Sequence, residues 1–151
     1  MSPSPRIEAF IKGFEKCRLS AFKPTPYDQW TCGWGATGPD IAADTQWNQK
    51  QADDRFDTDM VKFGLGVTGL IGTATTTQDQ YDAMVSLAYN IGDANFARSS
   101  VLTNHKAGHY QTAGLAFALW NKQSQNGTLV VLDGLTKRRA AEAAIYLGAA
   151  A

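Results

Sequence analysis

Glu15 is the residue whose surroundings in sequence say most about chemistry. It stands four positions after Ile11 and directly after Phe14, on the edge of an apolar helical stripe rather than on the opposite, wet face. A carboxyl held against apolar surface has its charged form disfavoured, the property a general acid needs near neutral pH. The same spacing also fits an exposed carboxylate paired with Lys12 or Arg18, one helical turn away. Asp28, Thr31 and Asp40 are the next oxygen-bearing groups along the chain. Glycosidic cleavage uses a second such group across the scissile bond: carboxyls roughly 6.5–9.5 Å apart leave room for an attacking water, and about 5–5.5 Å implies a covalent nucleophile. Taken singly, Asp28 also reads as a turn former that bonds its own backbone, and Thr31 as a β-former.

Other candidates carry less. His105 and His109 are four apart with Gly108 between them and no HExxH around them, so they read as surface polar residues and not as metal ligands. Trp30-Thr-Cys-Gly-Trp-Gly35 lacks the glycine spacing of a dinucleotide site. Asp53-Asp-Arg-Phe-Asp-Thr-Asp59 lacks the glycine and closing Glu of a calcium loop and reads as a solvated helix face. From residue 93 onward the bases (Arg98, Lys106, Lys122, Lys137, Arg138, Arg139) outnumber the acids (Asp93, Asp133, Glu142), while acids gather at 40–59. That is either a dipolar distribution able to steer the protein to an anionic polymer or a scattered surface.

Positioning such groups takes a core, and the chain is long enough for one. It has 151 residues, 44% hydrophobic and 19% charged, which is ordinary globular composition and excludes a disordered chain. A single domain over 1–151 is expected, in two lobes. Fourteen Lys+Arg balance fourteen Asp+Glu, giving no support for nucleic-acid binding. No apolar run is long enough for a membrane span, and Met1-Ser-Pro-Ser-Pro-Arg6 is not followed by the apolar stretch of a signal peptide. Synthesis in a cytosol is the resulting expectation. Cys17 and Cys32 are too few for a disulfide framework and are expected reduced and at least partly buried; an oxidising compartment would allow them to pair.

The elements follow from periodicity and caps. Ser4 and Pro5 open a helix to about Cys17, with Ile7, Phe10, Ile11 and Phe14 on one side. Two prolines in Lys23-Pro-Thr-Pro-Tyr-Asp28 break it, and 18–47 reads as an irregular β-hairpin or small sheet. Asn48-Gln-Lys-Gln51 caps a helix to about Phe63, after which Gly64, Gly66 and Gly69 read as punctuation. Thr77-Gln-Asp-Gln80 opens a broadly buried helix that stops at Gly92. Short helices are expected from Ser99 or Ser100 to about Ala107 and from Tyr110 to Trp120. A loop or hairpin turns at Asn126-Gly127, and a last helix runs over 135–147. Gly148-Ala-Ala-Ala151 reads as a fraying end. The class is α+β, a small N-terminal β lobe and a mainly helical lobe (the first helix with 48–151), and a cleft between them is where a ligand site would sit.

In order along nearly the whole chain, these stretches resemble phage-type lysozymes, a family of glycoside hydrolases. The resemblance rests on Phe14-Glu-Lys-Cys-Arg-Leu-Ser-Ala-Phe22, on Trp30-Thr-Cys-Gly-Trp-Gly-Ala-Thr-Gly38 and on Thr77-Gln-Asp-Gln-Tyr-Asp-Ala-Met-Val-Ser-Leu-Ala-Tyr-Asn-Ile-Gly92. Leu119-Trp-Asn-Lys122 and Gly134-Leu-Thr-Lys-Arg-Arg-Ala-Ala-Glu142 complete it. It implies a lysozyme-like fold and an endolysin muramidase that cleaves the β-1,4 bond between N-acetylmuramic acid and N-acetylglucosamine and so lyses bacteria. Glu15 would be the general acid, and Thr31 would help hold the attacking water. Arg138, with Arg139 as second choice, would be the basic partner of the acid, and Trp120 and Asn90 would line or support the sugar groove. The family's second catalytic Asp or Cys has no direct counterpart, because Pro24 and Thr25 stand in its place. Asp28 is the candidate for a displaced base, and Thr25 could instead order the water. The family's glycine after the acid is Lys16, and a histidine that often follows the second strand is Ala36. The resemblance further implies no metal or cofactor, peptidoglycan as partner, a monomer, and accumulation in the host cytoplasm until a holin opens the membrane. Two rival readings keep the fold: a non-hydrolytic peptidoglycan-binding module, and a lytic transglycosylase that needs an acid but no water-activating base.

Overall fold

Ser4 caps the first helix as its sequence suggests. Its side chain accepts from the Ile7 N–H, and Pro5 occupies the first helical position of α1 (Pro5–Glu15). Ser4 is in turn held by Asp82, whose Oδ1 accepts from the Ser4 N–H at 3.1 Å and whose Oδ2 accepts from its hydroxyl. Ile7 and Ile11 are fully buried, which fixes which face of α1 meets the core. This computed structural model describes residues 1–148; the end of the chain read as fraying lies, from residue 149 on, outside the described residues.

α1 stops at Glu15, two residues before the expected Cys17. Lys16 leaves the helix at φ 56°, ψ 152°, its N–H still bonded to the Lys12 carbonyl. That backbone region is close to glycine-only and costs a side chain of order 1–3 kcal/mol. Lys16→Gly is therefore expected to stabilise the fold by about 1 kcal/mol, once glycine's larger unfolded-state entropy is offset, seen as a higher urea midpoint with unchanged m-value.

β1 (Arg18–Phe22) and β2 (Thr31–Gly33) pair antiparallel, with Arg18 opposite Gly33 and Phe22 opposite Thr31. A shift in register between those pairs makes the hairpin irregular, and Gln46 bridges to Ser20 on its other edge. Cys32, Ala36 and Ile41 form a small core of their own beneath it. Both cysteines are free thiols, Cys32 buried and Cys17 half-buried, and burial pushes the Cys32 thiol pKa up.

α2 (Gln49–Ile71) begins at the Asn48/Gln51 capping box and does not stop near Phe63. Gly64, Gly66 and Gly69 lie inside it. Two of these glycines mark close approach rather than punctuation. A Cβ on Gly64 would meet Pro3 Cδ at 2.9 Å and Tyr81 Oη at 3.0 Å; one on Gly66 would meet Asp93 Oδ2 at 2.6 Å. The acidic run on α2 is not wholly solvated either. Asp59 is 7% exposed and pairs with Arg55, and Asp53 accepts from the Trp34 indole N–H at 2.8 Å.

α3 (Gln78–Ile91) is the central helix, opened by the Thr77/Gln80 box, buried from Tyr81 to Tyr89 and ended by Gly92 at φ 88°. α4 (Asp93–Ala97) packs against it, α5 (Ser100–Lys106) and α6 (Tyr110–Ala116) pack chiefly on each other, and α6 runs on as a 3-10 turn over Phe117–Trp120. β3 (Lys122–Gln125) and β4 (Thr128–Val131) form a second antiparallel hairpin through Asn126-Gly127, both at positive φ. α7 (Asp133–Tyr146) closes the chain against α3.

His105 corrects the surface reading. It is completely buried, with Nδ1 2.7 Å from the Tyr146 hydroxyl and Nε2 2.8 Å from the Thr76 hydroxyl. Burial lowers its pKa, so the neutral imidazole is the packed form. No helix among the described residues is long and apolar enough to cross a membrane.

Candidate active site

The end of α1 opens into a groove of about 590 Å³, within the usual size of a small-ligand cleft. Phe14 and Glu15 line it from α1, Asn90 from α3, Arg138 from α7, and Trp120 from the 3-10 turn. The loop between β1 and β2 supplies Pro24, Thr25 and Asp28 on the facing side, and β3 supplies Lys122 and Gln123. Glu15, Asp28, Asn90, Trp120 and Arg138, all singled out from sequence, thus share one groove, and Thr25 lines it with them.

The Glu15 side chain is 17% exposed. Its Oε1 accepts from Nη1 of Arg138, a side chain only 5% exposed. This is the partner, and not Lys12 or Arg18. Lys12 Nζ sits 4.7 Å from the Phe56 ring centre and 5.1 Å from that of Trp34, and the Arg18 guanidinium stacks 4.1 Å over Phe22. The second carboxyl oxygen rests against the β2 turn. A Cβ on Gly35 would lie 2.2 Å from Glu15 Oε2, and Gly35 has φ +86°, so glycine is required there twice over. Beneath the acid, Tyr89 donates its hydroxyl to the Trp34 carbonyl at 2.5 Å. Burial first, and the nearby Glu15 next, hold its pKa far above the ordinary tyrosine value, so it stays neutral.

Asp28 does what its turn reading predicts: Oδ2 accepts from the Thr25 N–H at 2.9 Å, and its own N–H donates to the Thr25 carbonyl. Asp28 nevertheless lines the groove. Thr25 Oγ1 lies 3.0 Å from Nε2 and 3.2 Å from Oε1 of Gln123, linking the β1–β2 loop to β3 across the groove. Thr31 is drawn into the hairpin. It is 6% exposed, its hydroxyl donates to the Gln29 carbonyl at 3.1 Å, and it is not among the residues that line the groove.

Behind Arg138 lies a buried ionic cluster that sequence reasoning missed. Glu142 is fully buried and accepts from the Ser86 hydroxyl at 2.5 Å. Arg138 Nε lies 3.3 Å from its Oε2, and Arg139 Nε 2.6 Å from its Oε1. Arg139 also donates to Asn90 Oδ1 at 2.9 Å and to the Trp120 carbonyl at 3.3 Å. Burial lowers its pKa more than Glu142 restores it. Two of the six cations in the basic C-terminal stretch are therefore internal and contribute no exposed steering charge. The signal was present in the spacing: Glu142 is one helical turn beyond both arginines.

Residues 12–142 match the family model described as phage lysozyme. The chain is 37% identical over 139 residues to an endolysin of Acyrthosiphon pisum secondary endosymbiont phage 1, covering 90% of this chain and 91% of that protein. It is 36% identical over 137 residues to an endolysin of Bacillus phage PZA, covering 90% of this chain and 51% of that protein. The chain thus spans about half the length of that relative. Among solved structures, an endolysin from Escherichia coli O157:H7 phage FAHEc1 superposes with a TM-score of 0.87 at 32% identity, over 99% of this chain and 96% of that one. The muramidase domain of SpmX from Asticaccaulis excentricus does so with a TM-score of 0.82 at 32% identity, over 95% and 96%.

Proposed function

The chain belongs to the phage lysozyme family, and from that premise we propose that it is a peptidoglycan-hydrolysing endolysin, cleaving the β-1,4 bond between N-acetylmuramic acid and N-acetylglucosamine. The observation that carries this reading is Glu15 itself. It is a mostly enclosed carboxyl at the mouth of α1, held by Arg138 and Gly35, in a groove with a second carboxylate on the facing loop. Glu15 in its protonated form gives its proton to the glycosidic oxygen as the bond breaks. Asp28, on the facing loop, takes the proton from the attacking water. Thr31, buried outside the groove lining with its hydroxyl donated to the Gln29 carbonyl, braces the end of the loop that carries Asp28 and does not itself hold that water. Asn90 and Trp120, both tied to Arg139, shape the sugar-binding wall. No residue of this scheme calls for a metal or cofactor. The enzyme works as a monomer on the cell wall, which it reaches from the host cytoplasm when a holin opens the membrane.

Mass spectrometry of digested sacculi tests the reaction. Reducing-end muramic acid is the expected product; 1,6-anhydromuramic ends would assign a lytic transglycosylase, and sedimentation with sacculi without any release would assign a binding module. The transglycosylase is favoured by one observation, that Asp28 Oδ2 is already engaged by the Thr25 N–H. Asp28→Asn is expected to slow hydrolysis by about 10²-fold or more, the scale of a general base, while Thr25→Ala costs far less. Equal rates for Asp28→Asn and the parent would remove Asp28 from the role.

A further inference from the structure

Glu142 reaches neither the groove nor the substrate, yet it shares Arg138 with Glu15. Arg138 spans the two carboxylates, Nη1 on Glu15 Oε1 and Nε on Glu142 Oε2. Arg139 pairs with Glu142 alone. The cluster therefore holds two guanidiniums and two carboxylates, with Arg138, Arg139 and Glu142 buried, Glu15 and the edge of Arg138 lining the groove, and Arg139 and Glu142 behind them. At such depth an unbalanced charge acts strongly on its neighbours, because little water screens it.

We propose that Glu142 is a positioning residue for the reaction, which by dividing Arg138 between two carboxylates and neutralising Arg139 sets the charge that Glu15 faces, and with it the pH range in which the acid holds its proton. The assignment rests on Glu15 being the acid of the proposed hydrolysis. Without the Glu142 charge, both guanidiniums face Glu15 uncompensated and favour its ionised, catalytically empty form. Without the Arg139 charge the balance tips the other way. Of the other charged groups on the elements around Glu15, Lys12 of α1 is turned to the Trp34 and Phe56 rings, and Arg55 of α2 is paired with Asp59. Tyr89 of α3 is neutral, Ser86 carries no charge, and Asp28 of the β1–β2 loop and Lys122 of β3 stand on the open groove, where water screens them.

The test is the pH profile of reducing-end release from purified sacculi. Glu142→Gln is expected to move the alkaline limb, where the acid loses its proton, about one pH unit down, and Arg139→Gln about one unit up. The double variant, whose cluster is again balanced, is expected to return towards the parent. Loss of packing alone would lower the rate at every pH without moving the limb, so the opposite signs are what a structural role does not produce. Circular dichroism and the thermal midpoint select folded variants. Where a single substitution does not fold, the sign of the other decides, and the charge-balanced double variant together with Glu142→Asp, which keeps the charge, supplies the comparison. Superimposable limbs in the folded variants would overturn the proposal. An active Glu15→Gln enzyme would instead overturn the hydrolytic reading beneath it, so the two failures are told apart.

Discussion

Glu15→Gln is expected to abolish hydrolysis, by about 10³-fold or more in the rate of reducing-end release, while the protein remains folded. The substitution preserves size, and the amide oxygen can still accept from Arg138. What it removes is the transferable proton. Removing one partner of a buried ion pair is ordinarily destabilising. Here Arg138 keeps Glu142 at 3.3 Å and the Ser86 carbonyl at 3.4 Å, so the guanidinium is not left alone. The measurement is turbidity clearing and product release from sacculi, beside far-UV circular dichroism. A folded Glu15→Gln protein with the parent's rate would remove the central assignment.

Gly35→Ala is the second large effect, and it reaches the same carboxyl from the backbone side. The new methyl would stand 2.2 Å from Glu15 Oε2 and 2.6 Å from its Cδ, well inside van der Waals contact. The carboxyl is the free end of a side chain, so it yields where the backbone does not. It leaves its place on Arg138, and the acid no longer points where the glycosidic oxygen arrives. A displacement of about 1 Å in a reacting group costs on the order of 10²-fold in kcat. The left-handed φ of +86° adds roughly 1 kcal/mol or more of destabilisation. The expected result is a folded protein, slightly lower in urea midpoint, with kcat down about 10²-fold and KM little changed. Parent-like kcat would show that the β2 turn does not set the acid's position.

Much of the site was legible because its signals are local. Glu15 at the end of an amphipathic helix, the Ser4, Asn48 and Thr77 caps, the Asn126-Gly127 hairpin and the Gly92 stop each depend on residues a few positions apart. Asp28 is legible as a turn former, which its bond to the Thr25 N–H bears out, and it lines the same groove as Glu15. What failed were inferences that treat a residue type as a location. The lack of a metal-binding motif around His105 excludes a ligand role but does not make the residue wet: Tyr146 and Thr76 satisfy both its nitrogens in the core. Gly64 and Gly66 were read as stops because glycine weakens helices, but Tyr81 and Asp93 need the space they leave.

By itself the sequence determined the helix caps, most of the order of elements and the β-then-helical division, because periodicity and capping are short-range physics, while Glu15 became the candidate acid only through the resemblance to phage-type lysozymes. Tertiary structure alone decided that α1, the β1–β2 loop, α3 and α7 meet at one groove, and that Arg138, the partner the resemblance implied for Glu15, also reaches inward to Glu142. It also decided that Glu142, 127 positions after Glu15, stands behind that pair. Charges buried together are chosen by the packing of distant helices, since only an opposite charge within a few ångströms offsets the loss of water.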